Sequence, residues 1–302
     1  HIGPNEHPNF ASYLHSKMQL MVNSRKVVIN AETDHFDEVY AAATTTTYPD
    51  SIYLFASSDF KPKRDDLHID FRFESQTLDT TKSRFTLVPV TEKAAALNIG
   101  GPYSLSLIGD FNESNATAAL IGGGLAGVDG AKANPGISTV QIPGRMEQYP
   151  VKDHGLVYVD YAHNYGSMTA LMHFIKAEYH DPKILVVVGA PGDKGVSRRP
   201  GFAKALSEYA QVAYLTTDDP GFEDPADIID EIDAGIDHDK VTVNKVLDRQ
   251  TAIEEAIAAS VPGDIVIVAG KGADQYQKVR GIDTPWPSDS KVVQAIADAS
   301  NN

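Results

Sequence analysis

Apolar residues recur along this chain with two periods, and the change of period divides it. From Asn9 to Asn23, Phe10, Tyr13, Leu14, Met18, Leu20 and Met21 fall at helical spacing. Lys26–Asn30 reads as a short buried strand, and residues 51–56, 67–73 and 83–90 as strands parted by turn residues. Ala116–Leu125 is apolar and rich in Ala and Gly, which predicts a buried helix. Residues 128–144 are dominated by Gly, Pro and small side chains and read as a linker. A domain boundary is therefore expected near Pro143, giving domains at 1–143 and 144–302.

Beyond it the alternation is regular. Gly155–Asp160, Lys183–Gly189, Val212–Thr217 and Asp264–Gly270 read as strands. Ser167–Glu178, Gly201–Tyr209 and Pro225–Ala234 read as the helices between them. Strands alternating with helices of this length predict an α/β domain with a doubly wound parallel sheet and right-handed crossovers.

Composition narrows the function classes. A length of 302 residues suits two domains, and 42% hydrophobic residues suffice for packed cores. The net charge of -15 and the lack of a Lys/Arg stripe argue against nucleic acid as partner. No apolar run is long enough to span a membrane, and no leader-like segment opens the chain. Cysteine is absent, which excludes thiol nucleophiles and disulfides and fits a reducing, cytoplasmic compartment. The N-x-[ST] matches at Asn112 and Asn115 are accordingly read as chance.

Ligands of open parallel sheets sit beyond the carboxyl ends of the strands. There this chain carries Asp160-Tyr161-Ala162-His163-Asn164, Gly189-Ala190-Pro191-Gly192-Asp193-Lys194-Gly195, Asp218-Asp219-Pro220-Gly221 and Gly270-Lys271-Gly272-Ala273-Asp274. Turn chemistry alone explains any one of these, but four polar loops on one edge point to a shared site. The Gly189–Gly195 loop is not a G-x-x-x-x-G-K-[ST] phosphate cradle. Gly122–Gly127 matches G-x-G-x-x-G but follows a helical run, so a helix contact or helix end is expected rather than a dinucleotide site. His1 and His7, in a Pro-containing loop, are candidate metal ligands, with Lys17 a surface lysine on periodicity alone.

Taken together, these segments resemble the Mur ligase family. His1-Ile2-Gly3-Pro4-Asn5-Glu6-His7-Pro8 followed by Tyr13 and Lys17 is similar to the family's central ATPase domain. There a His binds magnesium and a Lys is carbamylated and bridges to the metal. Asp110-Phe111-Asn112-Glu113-Ser114-Asn115 resembles F-N-x-x-N, whose Asn contacts adenine. Gly144-Arg145-Met146-Glu147 resembles G-R-M-E, whose Arg reaches the nucleotide, and Asp160-Tyr161-Ala162-His163 resembles D-Y-A-H beside ribose and phosphate. Gly270-Lys271-Gly272 with Tyr276-Gln277, and Asp283-Thr284-Pro285, resemble the final segment.

The resemblance implies Lys17 and His163 as catalytic groups, and Mg²⁺ held by His1, His7 and the Lys17 carbamate. It implies ATP bound by Asn112, Asn115, Arg145, Asp160, His163 and Lys194, and an amino acid bound by Asp218, Asp219, Pro220, Gly221, Gly270 and Asp274. The implied reaction adds a third residue to UDP-MurNAc-L-Ala-D-Glu through an acyl phosphate, by a monomer. Family members that add diaminopimelate carry D-N-P-R, whose Arg pairs with the distal carboxylate. Gly221 stands at that place here, and Asp219 and Asp274 add negative charge, so L-lysine is the expected substrate, with ornithine one methylene away. The family's G-T-x-G-K-T loop and the Glu completing its metal site are not in these residues, so a piece of a longer, complete enzyme is expected. A folylpolyglutamate-synthase-like ligase and a non-catalytic Mur-like module are the alternatives. A dehydrogenase would need a strand-linked G-x-G-x-x-G.

Overall fold

A computed structural model describes residues 7–78, 82–107 and 109–301. The chain divides into two compact units, Phe10–Gln141 and Ile142–Asn302, with residues 7–9 grouping with the latter.

The first unit runs α1 (Phe10–Val22), β1 (Val27–Asn30), α2 (Phe36–Thr44), β2 (Ile52–Ser57), β3 (Phe71–Leu78), β4 (Ser83–Pro89), α3 (Glu92–Ala95), β5 (Gly101–Leu105), α4 (Asp110–Leu125) and α5 (Gly130–Ser138). Among the described residues its sheet has the order β1-β2-β3-β4-β5, parallel from β1 to β3 and antiparallel from β3 to β5. Phe71, Phe85, Leu87 and Leu105 from the sheet pack with Leu120 and Ile121 of α4. One glycine of α4 serves packing: a Cβ at Gly124 would meet Ile99 Cγ2 at 3.1 Å. The expected linker is in part a helix. α5 occupies Gly130–Ser138 because the Asp129 carboxylate caps it, accepting from the Lys132 N–H at 2.9 Å. Its Pro135 and two glycines hid it from propensity.

The second unit runs β6 (Glu147–Tyr149), β7 (Leu156–Asp160), α6 (Tyr165–Glu178), β8 (Ile184–Val188), α7 (Arg199–Tyr209), β9 (Val212–Leu215), α8 (Pro225–Asp233), β10 (Thr242–Lys245), α9 (Arg249–Ala258), β11 (Ile265–Ala269), the hairpin β12 (Tyr276–Val279) and β13 (Ile282–Pro285), and α10 (Asp289–Asn301). Its sheet has the order β10-β9-β8-β11-β7-β6, with every pair parallel except β6-β7. The connections β7→β8→β9→β10 step one way, and β10→β11 turns back. With crossovers of one hand, α6–α8 then share one face and α9 falls on the other. The core agrees: Val157, Val159, Leu185, Val187, Val266 and Val268 pack with α9 and α10. Their neighbours in sequence, Tyr158, Val186 and Ile267, are equally buried and face the opposite layer. The unit is α/β and Rossmann-like, and the carboxyl ends of β7, β8, β9 and β11 lie along one edge.

Candidate functional site

At the end of β7, the Asp160 side chain is structural as much as chemical. Its Oδ2 accepts the Met146 N–H at 2.9 Å and its Oδ1 the Ala162 N–H at 2.7 Å. Burial pushes this carboxyl up, opposed by those two N–H groups and by the Arg145 and His163 charges. It thereby ties the Gly144–Glu147 turn to the strand end. The turn also presses on the loop after β11. Gly144 has φ +71°, and a Cβ there would lie 2.3 Å from the Ala273 nitrogen. Gly272, at φ +51°, leaves equally little room against the Gly144 carbonyl. Both positions need glycine, which is why the two short motifs meet backbone to backbone.

Above this junction the Arg145 guanidinium lies 4.9 Å from the centre of the Tyr161 ring, and the Tyr161 hydroxyl donates to Asp274 Oδ2 at 3.4 Å. His163 is oriented from its own backbone, with Nδ1 2.8 Å from the Tyr161 carbonyl oxygen. A carbonyl only accepts, so Nδ1 carries the hydrogen of this bond. The ring stands at the start of α6, where Asn164 and Ser167 form a capping box.

The ends of β9 and β11 share a buried charge cluster. Lys271, 1% exposed, places Nζ 2.7 Å from Asp219 Oδ1 and 3.7 Å from Asp218 Oδ1. The Lys278 N–H donates to the same Asp219 oxygen at 2.9 Å. Behind it Arg249 and Asp289, both fully buried, form a bidentate pair at 2.7 and 2.8 Å, and Arg249 also donates to the Ala269 carbonyl. Burial pushes the Asp218 carboxyl up, against the pull of Lys271 and Arg249. The negative charge expected at Asp219 is thus already answered by Lys271, a partner that spacing alone did not reveal.

The structure so gathers Arg145, Asp160, His163, Asp218, Asp219, Pro220, Gly221, Gly270 and Asp274 in the loops of one sheet edge. Gly270, at φ +107°, lets Asp218 approach, since a Cβ there would stand 2.9 Å from Asp218 Oδ2. Lys194 follows β8 in the same set of loops, half-buried. In the first unit, Asn112 and Asn115 lie in the first two turns of α4, and Lys17 is exposed on α1, its ammonium 5.5 Å from the Tyr13 ring centre. His7 is half-buried, and His1 lies outside the described residues. Among the described residues no group of three or more His, Asp or Glu side chains is placed to hold a metal. As a free amine Lys17 does not suit a hard Mg²⁺; as a carbamate it would offer the oxygen such an ion prefers. None of the described helices is long and apolar enough to cross a membrane.

Residues 144–272 match the family model "Mur ligase, glutamate ligase domain". The chain is 73% identical, over 98% of its length, to a UDP-N-acetylmuramyl-tripeptide synthetase of Lacticaseibacillus paracasei, and covers 57% of that protein. It is 41% identical, over its whole length, to a UDP-N-acetylmuramoyl-L-alanyl-D-glutamate--L-lysine ligase of Enterococcus faecalis, again covering 57% of it. A solved UDP-N-acetylmuramoyl-L-alanyl-D-glutamate--2,6-diaminopimelate ligase superposes with a TM-score of 0.52 at 28% identity, over 99% of this chain and 58% of that one. The chain therefore spans a little over half the length of these relatives. On the ordered motifs, the doubly wound sheet and these matches, the chain is similar over nearly its whole length to members of the Mur ligase family, with residues 144–272 matching that family's glutamate ligase domain.

Proposed function

We propose that the full-length protein uses ATP to join L-lysine to UDP-MurNAc-L-Ala-D-Glu. In this reading the γ-carboxylate of D-Glu becomes an acyl phosphate, the α-amine of lysine attacks it, and phosphate leaves. The 1–143 part would belong to the central ATP-binding domain and 144–302 to the domain that takes up the amino acid and part of the nucleotide. Arg145 and Lys194 would face phosphate oxygens, Asn112 and Asn115 the adenine, and His163 Nε2 a ligand hydroxyl. Magnesium would be held by His1, His7 and a Lys17 carbamate, where it would neutralise charge on the transferring phosphoryl group. These 302 residues hold no G-T-x-G-K-T, so the activity is assigned to the full-length protein, acting as a monomer in the cytoplasm, and the chain alone would be inactive.

Gly221 is the observation that carries lysine over diaminopimelate. At φ +61° and with no side chain, it offers no guanidinium to a distal carboxylate. The test is phosphate release from ATP by the full-length protein with UDP-MurNAc-L-Ala-D-Glu and, in turn, L-lysine, L-ornithine and meso-diaminopimelate. Lysine-dependent release is expected. Release with diaminopimelate alone would keep the family and refute the substrate; release with glutamate on a folate acceptor would favour the folylpolyglutamate-synthase-like alternative.

A further inference from the structure

Two glycines in the loops after β8 and β9 are kept bare by what faces them. A Cβ on Gly192 would sit 1.8 Å from the Pro220 carbonyl oxygen, and one on Gly221 would sit 2.0 Å from Asp193 Oδ2. Hydrogen bonds hold the loops at this separation. The Gly192 N–H donates to the Asp219 carbonyl at 2.8 Å, the Phe222 N–H to Asp193 Oδ2 at 2.7 Å, and the Asp193 N–H to Glu223 Oε1 at 2.5 Å. On its other side Gly221 is clamped by the hairpin: its N–H donates to the Lys278 carbonyl and its carbonyl accepts from the Arg280 N–H. Asp193 also has a positive φ, +61°, which Asp tolerates better than most residues. A side chain at 221 therefore fits only if the Asp193 carboxylate moves off, and that orphans the Phe222 N–H.

Asp193 is exposed, and its carboxylate stands where a side chain of residue 221 would begin. Asp219, the obvious acidic neighbour, is committed to Lys271. Resting on the amino-acid ligase reading above, we propose that Asp193 is the specificity-determining carboxylate for the third amino acid, and that it works as a pair with Gly221. The pair puts a negative charge in the space of the missing side chain, which favours a distal ammonium and repels a distal carboxylate. Amino-acid choice then cannot be switched at position 221 alone.

The test compares kcat/KM for L-lysine, norleucine and meso-diaminopimelate in the full-length protein, norleucine being lysine's chain without the ammonium. Asp193→Asn keeps an oxygen for the Phe222 N–H but drops the charge. The preference for lysine over norleucine should fall about fivefold, through KM with kcat nearly unchanged. Gly221→Arg should lose lysine activity without gaining diaminopimelate, and Asp193→Gly with Gly221→Arg should recover activity. Melting temperatures read the coupling without substrate: Gly221→Ala should lower that of the wild type more than that of Asp193→Gly. Lysine-dependent release by the wild type, with unchanged preference in Asp193→Asn, overturns this proposal alone, as does an equal melting shift in both backgrounds. A wild type inactive with all three amino acids overturns the ligase reading and this proposal with it.

Discussion

The strand-end cluster of the second unit and helix α1 of the first hold their lysines under opposite conditions. Lys271 is sealed from water and paired with Asp218 and Asp219, beside an equally sealed Arg249–Asp289 pair. A buried charge persists only with partners, so each member of this cluster is needed by the others. Lys17 stands exposed on a helix that buries none of its residues, near the Tyr13 ring. Its amine is open to chemical change at little structural expense. Charges in the first region hold the fold, whereas the charge in the second is available to a reaction.

That contrast breaks most sharply at Lys17. Replacing it with Ala in the full-length protein is expected to cut turnover by about 100-fold or more. The melting temperature should stay within the change expected of an exposed side chain. Arg should not rescue, because it cannot become a carbamate, whereas short-chain carboxylates added to the Ala variant should. Full activity of Lys17→Ala without any additive would end the carbamate reading.

The opposite result is expected in the buried cluster. Asp289→Ala leaves the buried Arg249 guanidinium without its carboxylate, facing the Ala269 and Thr217 carbonyls, and should destabilise the protein by about 3–5 kcal/mol. Converting both partners, Arg249→Met with Asp289→Leu, should cost less than the single change, because no unpaired charge is then buried. Chemical denaturation of the three proteins decides it. Equal losses for the single and double variants would mean that packing, not charge, holds this corner.

How far the sequence disclosed these features depends on the range of the interaction. The strands β7, β8, β9 and β11 were legible as apolar runs, because buried parallel strands need apolar residues on both faces. Helix α5 was not, since Gly130, Pro135 and Gly136 oppose a helix and only the Asp129 cap and tertiary packing favour it. The strand-end motifs placed Asp160, His163 and Asp218 correctly on one sheet edge. They could not show that Lys271 takes up Asp219, 52 residues away, or that Asp193 fills the space beside Gly221. The one available signal was a lysine inside a Gly-rich turn together with two acidic loops on the same rim. Patterning reports burial, while the pairing of charges across loops is set by the fold.

A smaller effect sharpens the comparison at the rim, between the sealed cluster and open solvent. Glu223 accepts from the Asp193 N–H and pairs at 2.7 Å with Arg199, which also binds Glu231 at 2.6 Å. Burial alone would raise this carboxyl; the Asp193 N–H and the Arg199 guanidinium outweigh it and hold it below its ordinary value of 4.5. A depressed acid adds stability above its unfolded pKa, and that stability drains away as pH falls through the folded one. The protein should therefore lose part of its stability below about pH 4.5, and Glu223→Gln should flatten that part of the profile while leaving its acid limb otherwise unchanged. Partial exposure of Glu223 keeps the effect small. Urea unfolding between pH 3 and 7 would resolve it (the range brackets the expected window), and an identical profile in the variant would show that the pairing of Glu223 with Arg199 adds no pH-dependent stability.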